Sequence, residues 1–202
     1  MFALVESGSI TKMLSGNRGI TIGDLQYPKE IFTLWTKSER EAIGVYEVEM
    51  DTSKRKDEEW YINTNVTYTF GSGKVTGSYG DAAAKDHEDT KWTQKEIDDG
   101  DAPSGATTNT VKVEGLKTKL IRSVKSQAAG ILQDTDWYVV RKADAGTAIP
   151  SSITTHRNSV RNKQAEMETK ILDASNVAAL ETLYTRNSDG VRPLGELPVL
   201  ES

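Results

Sequence analysis

Two stretches of the chain carry the spacing of amphipathic helices, and they lie close together. Between Val113 and Leu172 the first presents Val113, Leu116, Leu120, Val124, Gln127/Ala128 and Ile131 at steps of three and four. Such steps stack side chains on one face of a 3.6-residue helix. The second presents Ile153, Val160, Met167 and Ile171, with Arg157 and Gln164 at the intervening positions. Steps of seven broken by polar residues suit a helix that pairs along a narrow stripe. Asp134-Thr-Asp-Trp-Tyr-Val-Val-Arg141 joins them and reads as a short aromatic turn. Ala145-Gly146 breaks the pattern, and Pro150 sits where a first-turn proline opens the second helix. A third, short helix is predicted from Val177 to Tyr184, capped by Ser175.

The first 79 residues follow a period of two instead. Phe2–Val5 and Ile20–Ile22 are short apolar strands closed by turn formers, and Val45, Tyr46 and Val48 give another. Trp60 to Phe70 alternates with aromatic and β-branched residues on its even positions, Tyr61 being the exception. Gly71-Ser-Gly73 then turns the chain into Lys74–Tyr79, which predicts a β-hairpin. One short helix interrupts the strands. Ser38 followed by Glu41 has the capping-box spacing, and Gly44 is placed to stop it.

Residues 80–110 obey neither period. Eight acids face three bases there, a net −5 equal to that of the whole chain. Trp92 and Ile97 are its large apolar anchors, and the segment reads as a flexible acidic linker or arm. The predicted architecture is therefore α+β. It comprises a small β-rich module (1–79) with one short helix, the acidic linker (80–110), a helical hairpin with a third short helix (111–186), and an extended tail (187–202).

Composition narrows the functions. In 202 residues, 36% are hydrophobic and 27% charged, which favours two small modules over one large core. A net charge of −5 disfavours a dedicated nucleic-acid binder, which needs a basic face. The chain has no cysteine, so thiolate catalysis and zinc-thiolate sites are excluded. Met1–Glu6 has no basic start and no long apolar core, so no signal peptide is expected, and no apolar run is long enough to span a membrane.

Candidate chemistry is sparse. His87 and His156 are the two histidines, and His156 is read as part of a solvated basic stripe with Arg157, Arg161 and Lys163. Asp98-Asp99-Gly100-Asp101 lacks the alternating ligands and closing glutamate of a calcium loop. The glycines at 71–73 and 77–80 do not open a helix, so they fail the context of a phosphate loop. No catalytic residue, metal site or cofactor is expected. Trp137-Tyr138 has two readings that stay open together: packing at the helix corner, and an anchor for a partner protein.

One resemblance follows from these residues. Ile131-Leu-Gln-Asp-Thr-Asp-Trp137 resembles the Leu-Leu-x-x-Ser/Thr-Asp-Trp signature of bacteriophage tail assembly chaperones and tail-fibre assembly proteins. That family follows it, after a proline-containing loop, with a helix bearing Tyr-Arg-x-x-Leu-Arg. Here Ile149-Pro150 precedes His156-Arg157-Asn-Ser-Val160-Arg161, with both arginines matched, valine in place of leucine and histidine in place of tyrosine. The family's tryptophan just ahead of this helix motif is missing. Tyr27-Pro28, Ser38-x-x-Glu41 and Ile43-Gly44-Val45 resemble the leading domain of such proteins.

The resemblance implies a non-enzymatic tail protein, located in the virion tail or in the host cytoplasm during assembly. Its partners would be tail-fibre, baseplate or other tail subunits, with self-association also open. Trp137, Tyr138, Arg157, Val160, Arg161 and Met167 would form the partner-binding set, with Arg157 and Arg161 pairing either with a partner's acids or with Asp134 and Asp136. The competing class is a hydrolase for fibre maturation or the host surface, which would have to use Asp134, Asp136 and His156.

Overall fold

The computed structural model describes residues 1–200 and divides the chain into two compact units, Met1–Ala83 and Ala84 onward. The fold is mixed α+β, as the periodicities predict.

In the first unit, β1 (Phe2–Glu6) pairs with β2 (Ser9–Leu14), a strand that the hydrophobic pattern does not predict. Ser7 and Gly8 both take positive φ between the paired residues Glu6 and Ser9, the geometry of a two-residue hairpin turn matched to strand twist. A second hairpin, β3 (Ile20–Ile22) and β4 (Leu25–Tyr27), leads into α1 (Ile31–Leu34) and α2 (Lys37–Ala42). The capping box of α2 is Thr36 with Glu39, two residues earlier than Ser38 with Glu41. Thr36 is the residue with extended backbone, so its hydroxyl faces the free first-turn amides.

Gly44 ends the helix as predicted. Its φ is +80°, its amide donates to the Glu41 carbonyl, and a Cβ there would stand 2.6 Å from the Val5 carbonyl oxygen. The chain continues as β5 (Val45–Asp51), β6 (Tyr61–Ile62), β7 (Val66–Gly71) and β8 (Lys74–Tyr79). The single strand expected from Trp60 to Phe70 is thus two strands separated at 63–65, and Tyr61 is buried while Ile62 is 56% exposed.

Five strands form a curled sheet in the order β2-β1-β5-β8-β7, antiparallel except for the parallel pair β5/β8, and the outer strands β2 and β7 approach each other. β1 is buried on both faces. Leu4 packs with Leu14, Ile31, Phe32 and Val45, while Ala3 and Val5 pack with Val75 on the other side. That is why Phe2–Val5 reads as an unbroken apolar run.

In the second unit, the acidic segment is not a featureless arm. It holds β10 (Thr90–Lys91), paired with β11 (Val111–Val113), and between them α3 (Gln94–Asp98); β9 (Ala83–Ala84) lies at the division. α3 has its own capping box, Thr93 with Glu96. Val113 belongs to β11 and is half exposed, so the first long helix starts three residues later than its stripe predicts. This helix, α4 (Leu116–Gln133), packs against α6 (Ser151–Asp173) as a hairpin.

The acidic residues cap α4. The amides of Gly115, Leu116 and Lys117 donate to the Asp89 carboxylate and to the carbonyls of Asp86 and His87, at 2.8, 2.9 and 3.0 Å. Negative groups at a helix N-terminus satisfy its free amides and oppose its dipole. The aromatic turn is itself a helix, α5 (Asp136–Ala145). Pro150 precedes α6 as its N-cap residue, and Asn176, in place of Ser175, caps α7 (Val177–Tyr184). The tail after Asn187 folds back: Leu194 is 1% exposed and its amide donates to the Leu183 carbonyl.

Candidate partner-binding surface

The site is built where α4 ends. Thr135, between α4 and α5, is 2% exposed, and its hydroxyl donates to the Leu132 carbonyl at 3.0 Å. Arg157 of α6 meets the same point. It donates to the Leu132 carbonyl at 2.8 Å and to the Thr135 hydroxyl at 2.7 Å, and pairs with the Asp136 carboxylate at 2.8 Å. A single buried guanidinium thus adds a further donor to the Leu132 carbonyl at the α4 terminus and ties it to the first residue of α5. Of the two pairings open for Arg157, the structure places it on the hairpin's own Asp136.

With Asp136 held, Trp137 and Tyr138 follow on the first turn of α5. Their rings lie 4.5 Å apart with planes inclined by 40°. Arg141, one turn on, sets its guanidinium 4.3 Å from the Trp137 ring centre and 5.3 Å from that of Tyr138. These distances are within cation–π range. Trp137 remains 53% exposed and Val140 65% exposed, so the cluster forms an apolar and cationic patch on the surface. Arg141 makes no ion pair among the described residues, and its Nε is buried without a hydrogen-bond partner.

The other expected partner residues separate from this patch. Val160 (0% exposed) and Met167 (3%) are inside the α4/α6 hairpin and present nothing to a partner. Their seven-residue spacing reflects the intramolecular seam. Arg157 is internal too, a positioning residue and not a contact. Arg161 is exposed on α6. His156 is 8% exposed and so does not belong to a solvated stripe; its Nε2 has no hydrogen-bond partner.

Three contributors were not read from the sequence. Arg141 had a usable signal, since it lies four residues after Trp137 on a helix. Thr135 stands in the Ile131–Trp137 signature, but its meeting with Arg157 had no local signal, and neither had Lys117, because those partners are distant in sequence. Lys117 is 8% exposed, and its ammonium bridges the Glu88 carboxylate at 2.5 Å and the Leu172 carbonyl at 2.7 Å, near the α6 C-terminus.

Among the described residues no group of three or more metal-ligating side chains gathers, and no helix is long and apolar enough to cross a membrane. No protein-family model, curated protein or solved structure matches the chain.

Proposed function

We propose that this chain is a non-enzymatic bacteriophage tail protein that binds tail-fibre, baseplate or other tail subunits through the α5 face. It acts either as a component of the virion tail or as an assembly chaperone in the host cytoplasm. The observation that carries the proposal is the Trp137–Tyr138–Arg141 cluster, in which Trp137 is exposed and Tyr138 and Arg141 are half-buried beside it. Tryptophan, tyrosine and arginine dominate binding hot spots, and an anchor already held in one geometry loses little entropy on docking.

The tail-protein identity itself is supported by the Asp-Thr-Asp-Trp137 signature and the Arg157/Arg161 helix, which resemble those of tail assembly proteins. The structure gives the signature a physical role: its second aspartate is the residue that Arg157 grips. Mass spectrometry of purified particles and of tail subassemblies from infected cells tests the proposal. Presence in mature particles assigns a resident subunit, and presence in subassemblies alone assigns a chaperone. Absence from both contradicts the proposal.

A further inference from the structure

We infer that the hollow between the end of β2 and the start of β3 is a binding site for a phosphate group, carried by inorganic phosphate or by a small phosphate monoester. It belongs wholly to the first unit and shares no residue with the α5 cluster, so it stands independently of the tail-protein reading.

The hollow has a volume of about 330 Å³, and its lining includes Lys12, Ser15, Gly16, Arg18, Gly19 and Thr21 but no carboxylate. Neither Lys12 nor Arg18 makes an ion pair or side-chain hydrogen bond among the described residues. Elsewhere in the unit Lys37, Arg40, Lys54, Arg55 and Lys74 each pair with a carboxylate. In a chain of net charge −5, two unpaired cations around one concavity reverse the sign locally. A concave wall of one sign concentrates ions of the other.

The backbone adds donors. Residues 16–18 form a bend, with Gly16 at φ +76°, and among the described residues the amides of Gly16, Asn17, Arg18 and Gly19 make no hydrogen bond. Successive free amides in a turn form an anion-binding concavity. Two close approaches hold this bend in place. A Cβ on Gly16 would stand 3.0 Å from the Phe2 ring, and one on Gly19 would stand 2.7 Å from the Tyr27 carbonyl oxygen. The main chain itself is therefore pressed against the unit and its amides stay uncovered.

The donor set selects the anion. A guanidinium fork, an ammonium, the Thr21 hydroxyl and a run of amides outnumber what the two oxygens of a carboxylate accept. A phosphate monoester brings three strong acceptor oxygens and nearly two negative charges, which match Arg18 and Lys12. Ser15 is engaged already, its hydroxyl donating to Asn17 Oδ1 at 2.5 Å.

The test follows backbone amide NMR shifts of the intact protein at low ionic strength. Inorganic phosphate and, separately, glycerol phosphate are titrated in, with chloride at matched ionic strength as the control. Expected are saturable shifts at Gly16, Arg18 and Gly19 that chloride does not produce. Arg18→Gln and Lys12→Gln should each weaken binding about fivefold or more, while Lys119→Gln, which removes the same charge from an exposed position on α4, should not. Lys12 and Arg18 are exposed, so both variants should keep the circular dichroism of the parent. Tighter binding of glycerol phosphate assigns a monoester, and equal or weaker binding assigns the free anion; either supports the site. No saturable shift in the intact protein, shifts centred elsewhere, undiminished binding by both variants, or equal weakening by Lys119→Gln overturns the inference.

Discussion

Lys117 and Arg157 are exchanged between the two long helices. Lys117, on the first turn of α4, donates to the Leu172 carbonyl near the end of α6, and Arg157, near the start of α6, donates to the Leu132 carbonyl at the end of α4. Each helix C-terminus therefore receives a buried cation from its neighbour. Cations at helix C-termini oppose the dipole and satisfy carbonyls that no intrahelical amide reaches. The hairpin is clamped at both ends, and the Arg157 end is the one that orients α5.

Arg157→Met removes three hydrogen-bonded contacts at once and leaves the 2%-exposed Thr135 hydroxyl without its donor, while the Leu132 carbonyl keeps the Thr135 amide and hydroxyl. A destabilisation of about 2–4 kcal/mol is expected in urea denaturation, from buried groups left unsatisfied. Asp136→Asn costs less, about 1 kcal/mol or below, since the Asp136 side chain is 55% exposed and screened by solvent. Equal losses for the two variants would contradict the clamp.

Val160 and Trp137 differ in role: Val160 is fully buried and Trp137 is 53% exposed. Val160→Ala opens space in a fully buried seam and is expected to cost about 1–3 kcal/mol of stability. Trp137→Ala, at a 53%-exposed position, is expected to leave stability within about 1 kcal/mol of the parent. Thermal denaturation of the two variants side by side checks this order.

The long-range apolar seams were legible because they repeat: Leu116, Val124 and Ala128 face Ile153, Val160, Met167 and Ile171, and all are buried. The β-rich half was legible where a strand is buried on both sides, as at Phe2–Val5, or where glycine marks a hairpin, as at 71–73. β2 was not. Its burial is limited to Leu14 and part of Ile10, with Thr11, Lys12 and Met13 exposed, so no clear alternation marks it. The order in residues 84–110 was hidden for another reason. Asp86, His87 and Asp89 acquire their role only by meeting the amides at 115–117, a relationship with no local signature. In the candidate site, Trp137 and Tyr138 were visible as residue types. The burial of His156 and the inward turn of Arg157 depend on the α4 terminus arriving beside them, which spacing within α6 does not encode.

Gly44 tests the packing of the first unit. Both its φ of +80° and the 2.6 Å approach of a hypothetical Cβ to the Val5 carbonyl oppose any side chain. Gly44→Ala is expected to destabilise by about 1–3 kcal/mol. It should also loosen the β1/β5 pairing, read as faster amide exchange at Val5, whose N–H donates to the Gly44 carbonyl.

Acid should act on the β10–α3–β11 segment through Glu96. Lys112 hydrogen-bonds its carboxylate, and the Thr93 amide and hydroxyl add to this, holding it down from 4.5 to about 2. A depressed carboxylate stabilises the fold above its unfolded value and loses that contribution as pH falls through the folded one. The parent should therefore lose order around α3 between about pH 4.5 and 2, while Glu96→Gln lacks that pH-dependent component. Amide shifts of Thr93 and Glu96 followed down the pH range check it; identical profiles for the two proteins would refute the assignment.

We propose that the α5 cluster recognises a tail subunit. The most direct measurement is a pull-down of tail-fibre, baseplate and other tail subunits by the intact protein, by Trp137→Ala and by Arg141→Ala, each verified as folded by circular dichroism. The intact protein is expected to retain a tail subunit, and both variants to lose most of that binding. Undiminished retention by the two variants would contradict it, as would the absence of any tail subunit bound to the intact protein.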